Sequence, residues 1–261
     1  VITWTVANQK GGVGKTTTVI TLAGLLAQQG KRVLLVDTDP HASLTAYLGF
    51  DVDTLHGSLY ELFQKPNLSD SELRKSIYAT DFENLSLIPS SMALATLDKA
   101  LGSREGMGLI LKRLIERLKD EYDYVLIDCP PVLGVMMVNA LAASQRVLVP
   151  VQTEFLALKG LERMVKTFHI MQRSCPDPLR YTVVPTMYDK RTRASLTSLK
   201  SLLDQHPLHA WNSVIPIDTK FRDASLKHMP PSFYLRKCRG VFAYETLLNY
   251  LQRLNDKAGM L

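Results

Sequence analysis

The sequence predicts an α/β fold: a single doubly wound domain with a mostly parallel sheet and helices on both faces. Strand-like apolar runs alternate with helix-period segments along the 261 residues. Most of those runs are continuously apolar, as strands covered on both faces must be. A glycine-rich loop joins the first run to the first helical segment, the arrangement that builds a phosphate-binding loop.

Ile2–Ala7 is the first predicted strand. Thr16–Gln29 follows as a helix, with Val19, Leu22, Ala23 and Leu26 on one face. Arg32–Asp37 is the second strand. Pro40–Ser91 is the most irregular stretch, read as short helices and loops over the active face, with a strand at Leu85–Pro89. Gly108–Leu118 carries Leu111, Leu114, Ile115 and Leu118 at helical spacing, and Tyr124–Asp128 is an apolar strand ending in a carboxylate. Val132–Ala143 is apolar, but too short to span a membrane and interrupted by Asn139. Arg146–Val151, Tyr181–Pro185 and Ser213–Ile217 read as strands; Leu158–Gln172, Ser195–Leu203 and Phe242–Leu254 read as helices. His228–Gly240, with Pro230, Pro231 and Gly240, reads as a loop before the closing helix. No repeat or low-complexity stretch divides the chain, so residues 1–261 read as one domain.

With 46% hydrophobic and 21% charged residues, collagen, a disordered chain and a disulfide scaffold are excluded. Cys129, Cys175 and Cys238 are far apart with no CxxC pair, which argues against a zinc or iron–sulfur site and fits a reducing cytosol. No basic region precedes the first apolar run, so no signal peptide is expected. The net charge of +6 points to an acidic partner, nucleic acid or an anionic membrane. Arg180–Gly240 holds eleven Lys and Arg against four Asp, which leaves the rest near neutral. Such clustering favours DNA over a merely solvated face. The terminal stripe of Leu247, Leu248, Leu251 and Leu254 faces a polar side of mixed charge, so it reads as a core helix, not a membrane anchor.

Three motifs carry chemistry. In Asn8–Thr17, Gly11, Gly12, Val13 and Gly14 would turn backbone N–H groups onto phosphate oxygens at a helix N-terminus. Lys15 would reach the β- and γ-phosphates, the Thr16 hydroxyl would ligate Mg²⁺, and Thr17 would touch the α-phosphate. The strict pattern calls for glycine at position 9; the chain has Gln9 and, next to it, a second lysine, Lys10. The second motif, Asp37-Thr38-Asp39-Pro40, places two carboxylates at a strand's C-terminal end, one to hold a metal-bound water and one to orient an attacking water. The third, Tyr124–Pro131, ends its strand in Asp128, the Walker B form near the Mg²⁺ shell. Pro130, Pro131 and Gly134 then make a stiff turn that could sense the γ-phosphate. Cys129 reads as a packing residue. His41 either bonds within its own loop or touches a partner, and no histidine pair has metal-ligand spacing.

KGGVGKTT, DTDP and YDYVLIDCPP, in this order and spacing, resemble the ParA/MinD family of deviant-Walker-A ATPases over essentially the whole chain. Val184–Asp189 and Ile215–Asp218 are similar to the ParA branch. The resemblance implies ATP and Mg²⁺ as cofactors and an ATP-sandwich homodimer in which Lys10 reaches the partner's nucleotide. It implies that Asp39 positions the hydrolytic water, that Met187 and Pro216 contact adenine, and that hydrolysis is slow and stimulated by a partner protein. It further implies non-specific, salt-sensitive DNA binding through Lys190, Arg191, Arg193, Lys220 and Arg222. The chain begins at its first strand, as in the short, Soj-like type. His41-Ala42-Ser43 and the following LTAYLG look more like ParC, the member that places chemotaxis arrays at the cell pole, and Val132 stands where many relatives have Ser. The implied role is an ATPase that positions or segregates a cargo (an array, chromosome or plasmid) with a ParB-like or array-adaptor partner. Its expected place is the cytoplasm, on the nucleoid or at the pole, without membrane insertion. Two alternatives stay open: a metabolic or electron-transfer enzyme similar to dethiobiotin synthetase or the nitrogenase iron protein, and a MinD-like membrane-associated ATPase.

Overall fold

The computed structural model describes residues 1–65, 67–97, 106–173 and 178–258; Cys175 lies outside them. Strands β1 (Ile2–Val6), β2 (Val33–Asp37), β3 (Tyr78–Ala79), β4 (Leu85–Ile88), β5 (Tyr124–Asp128), β6 (Arg146–Gln152) and β7 (Tyr181–Thr186) form one sheet in the order β3-β4-β2-β5-β1-β6-β7. Every neighbouring pair is parallel except β3 with β4. The chain leaves β1 towards β2 on one side, and β6 continues on the other, so the loop after β1 sits where the winding reverses. Ligand crevices form at such points. The register sets Val6, Asp128 and Asp37 level on β1, β5 and β2, which puts two carboxylates on one rim.

Alternate residues of each strand feed two separate cores, so the strands must be apolar throughout. On one face Leu34, Val36, Val125, Ile127, Val147 and Val149 pack under α3 (Leu59–Gln64), α5 (Ile110–Arg117), α6 (Val135–Ala143) and α7 (Phe155–Gln172). On the other, Trp4, Val6, Val33, Leu35, Leu126 and Leu148 pack under α1 (Lys15–Gln28), α2 (Ser43–Tyr47) and α11 (Arg239–Ala258). Between β2 and β4 the irregular stretch carries α2, α3 and α4 (Asp70–Lys75); serine–glutamate capping boxes at Ser58 and Ser69 start the last two. The short antiparallel β3 in this stretch is an addition to the predicted elements.

The expected strand at Ser213–Ile217 is reduced to a single bridge, Tyr188 to Pro216. The segment bonds to residues 185–188 through Ile215 N to Pro185 O, Tyr188 N to Ile215 O and Ile217 N to Tyr188 O. Pro185, on β7, has no N–H to return the first of these, so no ladder forms. Val135–Ala143 is a helix. Its buried Asn139 accepts from Leu111 N and donates to Met107 O and Val135 O, which explains a polar residue in an apolar run. The remaining helices are α8 (Arg193–Gln205), α9 (Lys220–Leu226) and α10 (Pro231–Tyr234); α10 breaks the expected His228–Gly240 loop. No helix of the described residues is long and apolar enough to cross a membrane.

Candidate active site

The loop after β1 is held from behind and open in front. Asn8 Nδ2 donates to Pro150 O at 2.8 Å, Lys10 N donates to Asn8 Oδ1 at 3.0 Å, and Thr186 Oγ1 donates to Val13 O at 3.0 Å. Gly12 and Gly14 have φ of +73° and +92°, a region that disfavours any side chain. A Cβ built at Gly11, Gly12 or Gly14 meets nothing within 4 Å, so an oxyanion has unobstructed access to the backbone. No side chain caps α1, which leaves its first N–H groups directed at that space. Lys15, almost wholly buried, lays its Nζ 3.3 Å from Lys10 O across the loop. Thr17 continues the first turn, and its carbonyl accepts from Thr21 Oγ1.

The carboxylates divide into three environments. Asp128 Oδ2 accepts from Thr16 Oγ1 at 2.6 Å, while Oδ1 is buried with no partner among the described residues. A buried oxygen of this kind beside a hydroxyl fits a hard divalent cation such as Mg²⁺. Burial, followed by the nearby Asp37 charge, pushes the Asp128 carboxyl up to about 8. Asp37 is also buried and raised to about 6, by burial first. Both its oxygens are already engaged: Oδ2 by Thr45 N and Oγ1, Oδ1 by Asp39 N at 3.2 Å. Asp37 therefore secures the rim and adds charge, whereas Asp128 has the oxygen to offer. Because β2 ends at Asp37, Asp39 lies in the following turn and not on a continuing strand.

Lys10 does not stand free. Its Nζ donates to Gln152 Oε1 at 2.9 Å, at the end of β6, and pairs with Glu154, at the N-cap of α7. Gln152 Nε2 also reaches Gly12 O at 3.2 Å and Met187 Sδ at 2.9 Å. These partners escaped the sequence reading because β6 is a neighbour of β1 only in the sheet. Met187, with φ +52°, adjoins the Tyr188–Pro216 bridge, so the two expected adenine contacts share one rim. Cys129 is buried with its thiol pushed up by burial, consistent with packing.

A family model described as an AAA domain matches residues 1–181. The sporulation initiation inhibitor protein Soj of Bacillus subtilis (strain 168) is 36% identical over 240 residues, covering 92% of this chain and 93% of that protein. The chromosome partitioning protein ParA of Caulobacter vibrioides (strain NA1000 / CB15N) is 36% identical over 242 residues, covering 92% and 89%. The chain belongs to the ParA/MinD family of ATPases. A structure of cobyrinic acid a,c-diamide synthase from Mycobacterium smegmatis, with bound ATP analog and magnesium, is 36% identical, with a TM-score of 0.83 and coverage of 97% of this chain and 95% of that one.

In this ParA/MinD chain the basic residues expected to meet DNA are all exposed. Lys190 and Arg191 follow β7, Arg193 opens α8, and Lys220 and Arg222 lie on α9; the Tyr188–Pro216 bridge joins the two segments. Arg191 is held by Asp189, whose carboxyl it lowers to about 2, and Lys220 pairs with Asp223 at 3.0 Å. Lys190, Arg193 and Arg222 make no ion pair among the described residues. Arg239, at the start of α11, also acts electrostatically on Asp189, which extends the same basic face.

Proposed function

We propose that residues 1–261 form one ATPase domain that pairs with a second copy on binding ATP and Mg²⁺ and uses the ATP cycle to position or segregate a cargo. The observation that carries this reading is the buried, unpartnered Asp128 Oδ1 beside Thr16, on the rim of an open glycine loop that contains two lysines. Thr16 and Asp128 would hold Mg²⁺, with Asp37 as a buried supporting charge. When bound, the ion neutralises charge on the β- and γ-phosphate oxygens. Gly11 to Gly14 and Thr17 bind the phosphates through the backbone and a hydroxyl, Lys15 offsets the charge of the transferring group, and Met187 and Pro216 flank the base. Lys10 serves the second copy's nucleotide, and Asp39 orients the attacking water. Catalysis is by positioning and charge, not by a covalent intermediate. Lys190, Arg191, Arg193, Lys220 and Arg222 give the dimer a doubled face for DNA phosphates, and an activating partner protein sets the hydrolysis rate. The name of the Caulobacter vibrioides ParA supports a segregation cargo, and the segment after His41 supports a polar array.

The synthase name of the Mycobacterium smegmatis structure favours a metabolic reading. A surface cavity of about 560 Å³, lined by Arg236, Lys237, Cys238, Arg239, Phe242 and Glu245, lies apart from the phosphate loop. Cys129 and Cys238 lie in cores on opposite faces of the sheet, so these two cannot ligate one cluster. The deciding test is light scattering with ATP and Mg²⁺. Asp39→Ala should accumulate as an ATP-bound dimer and Lys15→Ala should remain monomeric. An Asp39→Ala protein that hydrolyses ATP at the wild-type rate would sink the assignment.

A further inference from the structure

Asp39 is followed by a turn whose geometry exceeds what chain reversal requires. Ala42 occupies the left-handed region at φ +53°, a conformation that costs a residue with a side chain and is kept where the surroundings enforce it. Ala42 N closes the turn on Asp39 O at 2.8 Å, and the Ser90 hydroxyl bonds the same carbonyl. Ser90 N in turn donates to Thr45 Oγ1, whose hydroxyl is bonded to Asp37. The turn is thus fixed from behind to the buried rim. Its result is that His41 folds back onto Asp39.

Both contacts of His41 fall on a single oxygen. The backbone N donates to Asp39 Oδ1 at 3.0 Å, and the ring Nδ1 lies 2.9 Å from the same atom. An ionised carboxylate oxygen only accepts, so Nδ1 carries the hydrogen. Asp39 Oδ2 bonds to no described residue. The His41 side chain is 82% exposed, so the ring gains little from burial, and its evident local effect is on the Asp39 carboxylate. We propose that His41 is a positioning residue for the hydrolytic step: by holding Oδ1 it turns Oδ2 of Asp39 towards the attacking water. This rests on the proposed role of Asp39 and adds the group that orients it.

The test is steady-state ATP hydrolysis by the full chain with Mg²⁺, without a partner protein, for wild type, Asp39→Ala, His41→Ala and His41→Asn. The amide nitrogen of Asn lies close to the position of Nδ1 and restores the donor. Loss of one orienting hydrogen bond should lower kcat about threefold to tenfold in His41→Ala, with KM for ATP held within about twofold. His41→Asn should recover to within about twofold of wild type. If Asp39→Ala is inactive but His41→Ala keeps the wild-type kcat, the role of His41 is overturned and that of Asp39 stands. Equal loss in His41→Ala and His41→Asn, or a loss carried by KM, also overturns it. If Asp39→Ala itself hydrolyses normally, the underlying reading of Asp39 fails.

Discussion

Asp37 and Asp128 meet at one register position with no basic side chain bonded to either, and burial raises both carboxyls. The folded protein therefore holds protons that the unfolded chain releases above about pH 4. Where the native state binds more protons, stability falls as pH rises. These two groups stabilise the ion-free protein most at low pH, and the contribution declines as pH climbs through about 6 and then about 8. His206, lowered by burial, works in the opposite direction below its ordinary range, so the comparison must be with a variant. In EDTA, the Tm advantage of Asp128→Asn over wild type should grow between pH 5 and pH 8 and shrink when Mg²⁺ and ATP are added. A constant difference across that range would remove the buried-charge explanation. Thr16, Asp37 and Asp128 were legible in the sequence because each ends or opens a regular element. Thr45, Gln152 and Glu154 were not: Thr45 reaches Asp37 only through the turn after β2, and Gln152 and Glu154 lie 142 and 144 residues from Lys10 and meet it only through the sheet order.

At the scale of elements, Asp218 performs two tasks that composition alone does not show. Its Oδ1 accepts from Lys220 N at 3.0 Å and its Oδ2 from Gly240 N at 2.9 Å, so one carboxylate serves the starts of α9 and α11. The first turn of α11 has no acidic residue and begins with Arg239, an unfavourable sign for a helix N-terminus. This contact also explains why α11 begins three residues before the expected Phe242, since periodicity reports the apolar face and the cap decides the start. Gly240 is needed because Phe221 packs where its Cβ would stand, with the nearest ring atom at 2.3 Å. Asp218→Ala should cost about 1–2 kcal/mol, read as a loss of roughly 3–8 °C in Tm, with Asp218→Asn in between. An unchanged Tm would mean that the cations beside it, not the caps, are what Asp218 serves. The parallel strands were readable because two-sided burial forces continuous apolar runs. Ser213–Ile217 misled because it has the same composition, while Pro185 on the facing β7 has no N–H to complete a ladder with it.

For the whole molecule, the excess charge becomes a surface only through folding. Lys190–Arg193 and Lys220–Arg222 are some thirty residues apart in sequence, and the Tyr188–Pro216 bridge sets them side by side, with Arg239 adjoining. The five cations are not equivalent. Arg191 and Lys220 are already neutralised by Asp189 and Asp223, so a DNA phosphate must compete with a carboxylate for each. Lys190, Arg193 and Arg222 carry no such cost. Reversing these three to Glu should abolish ATP-dependent DNA retention near 150 mM salt and leave basal ATPase near wild type, whereas reversing Arg191 and Lys220 should weaken it less. Each phosphate contact removed lowers the slope of log affinity against log salt by about 0.9. Titrations of the Asp39→Ala dimer against duplex DNA between 50 and 200 mM salt would therefore count the contacts directly. If the triple variant binds with an unchanged slope, the basic face is solvated surface and the acidic partner implied by the chain's charge is something other than DNA.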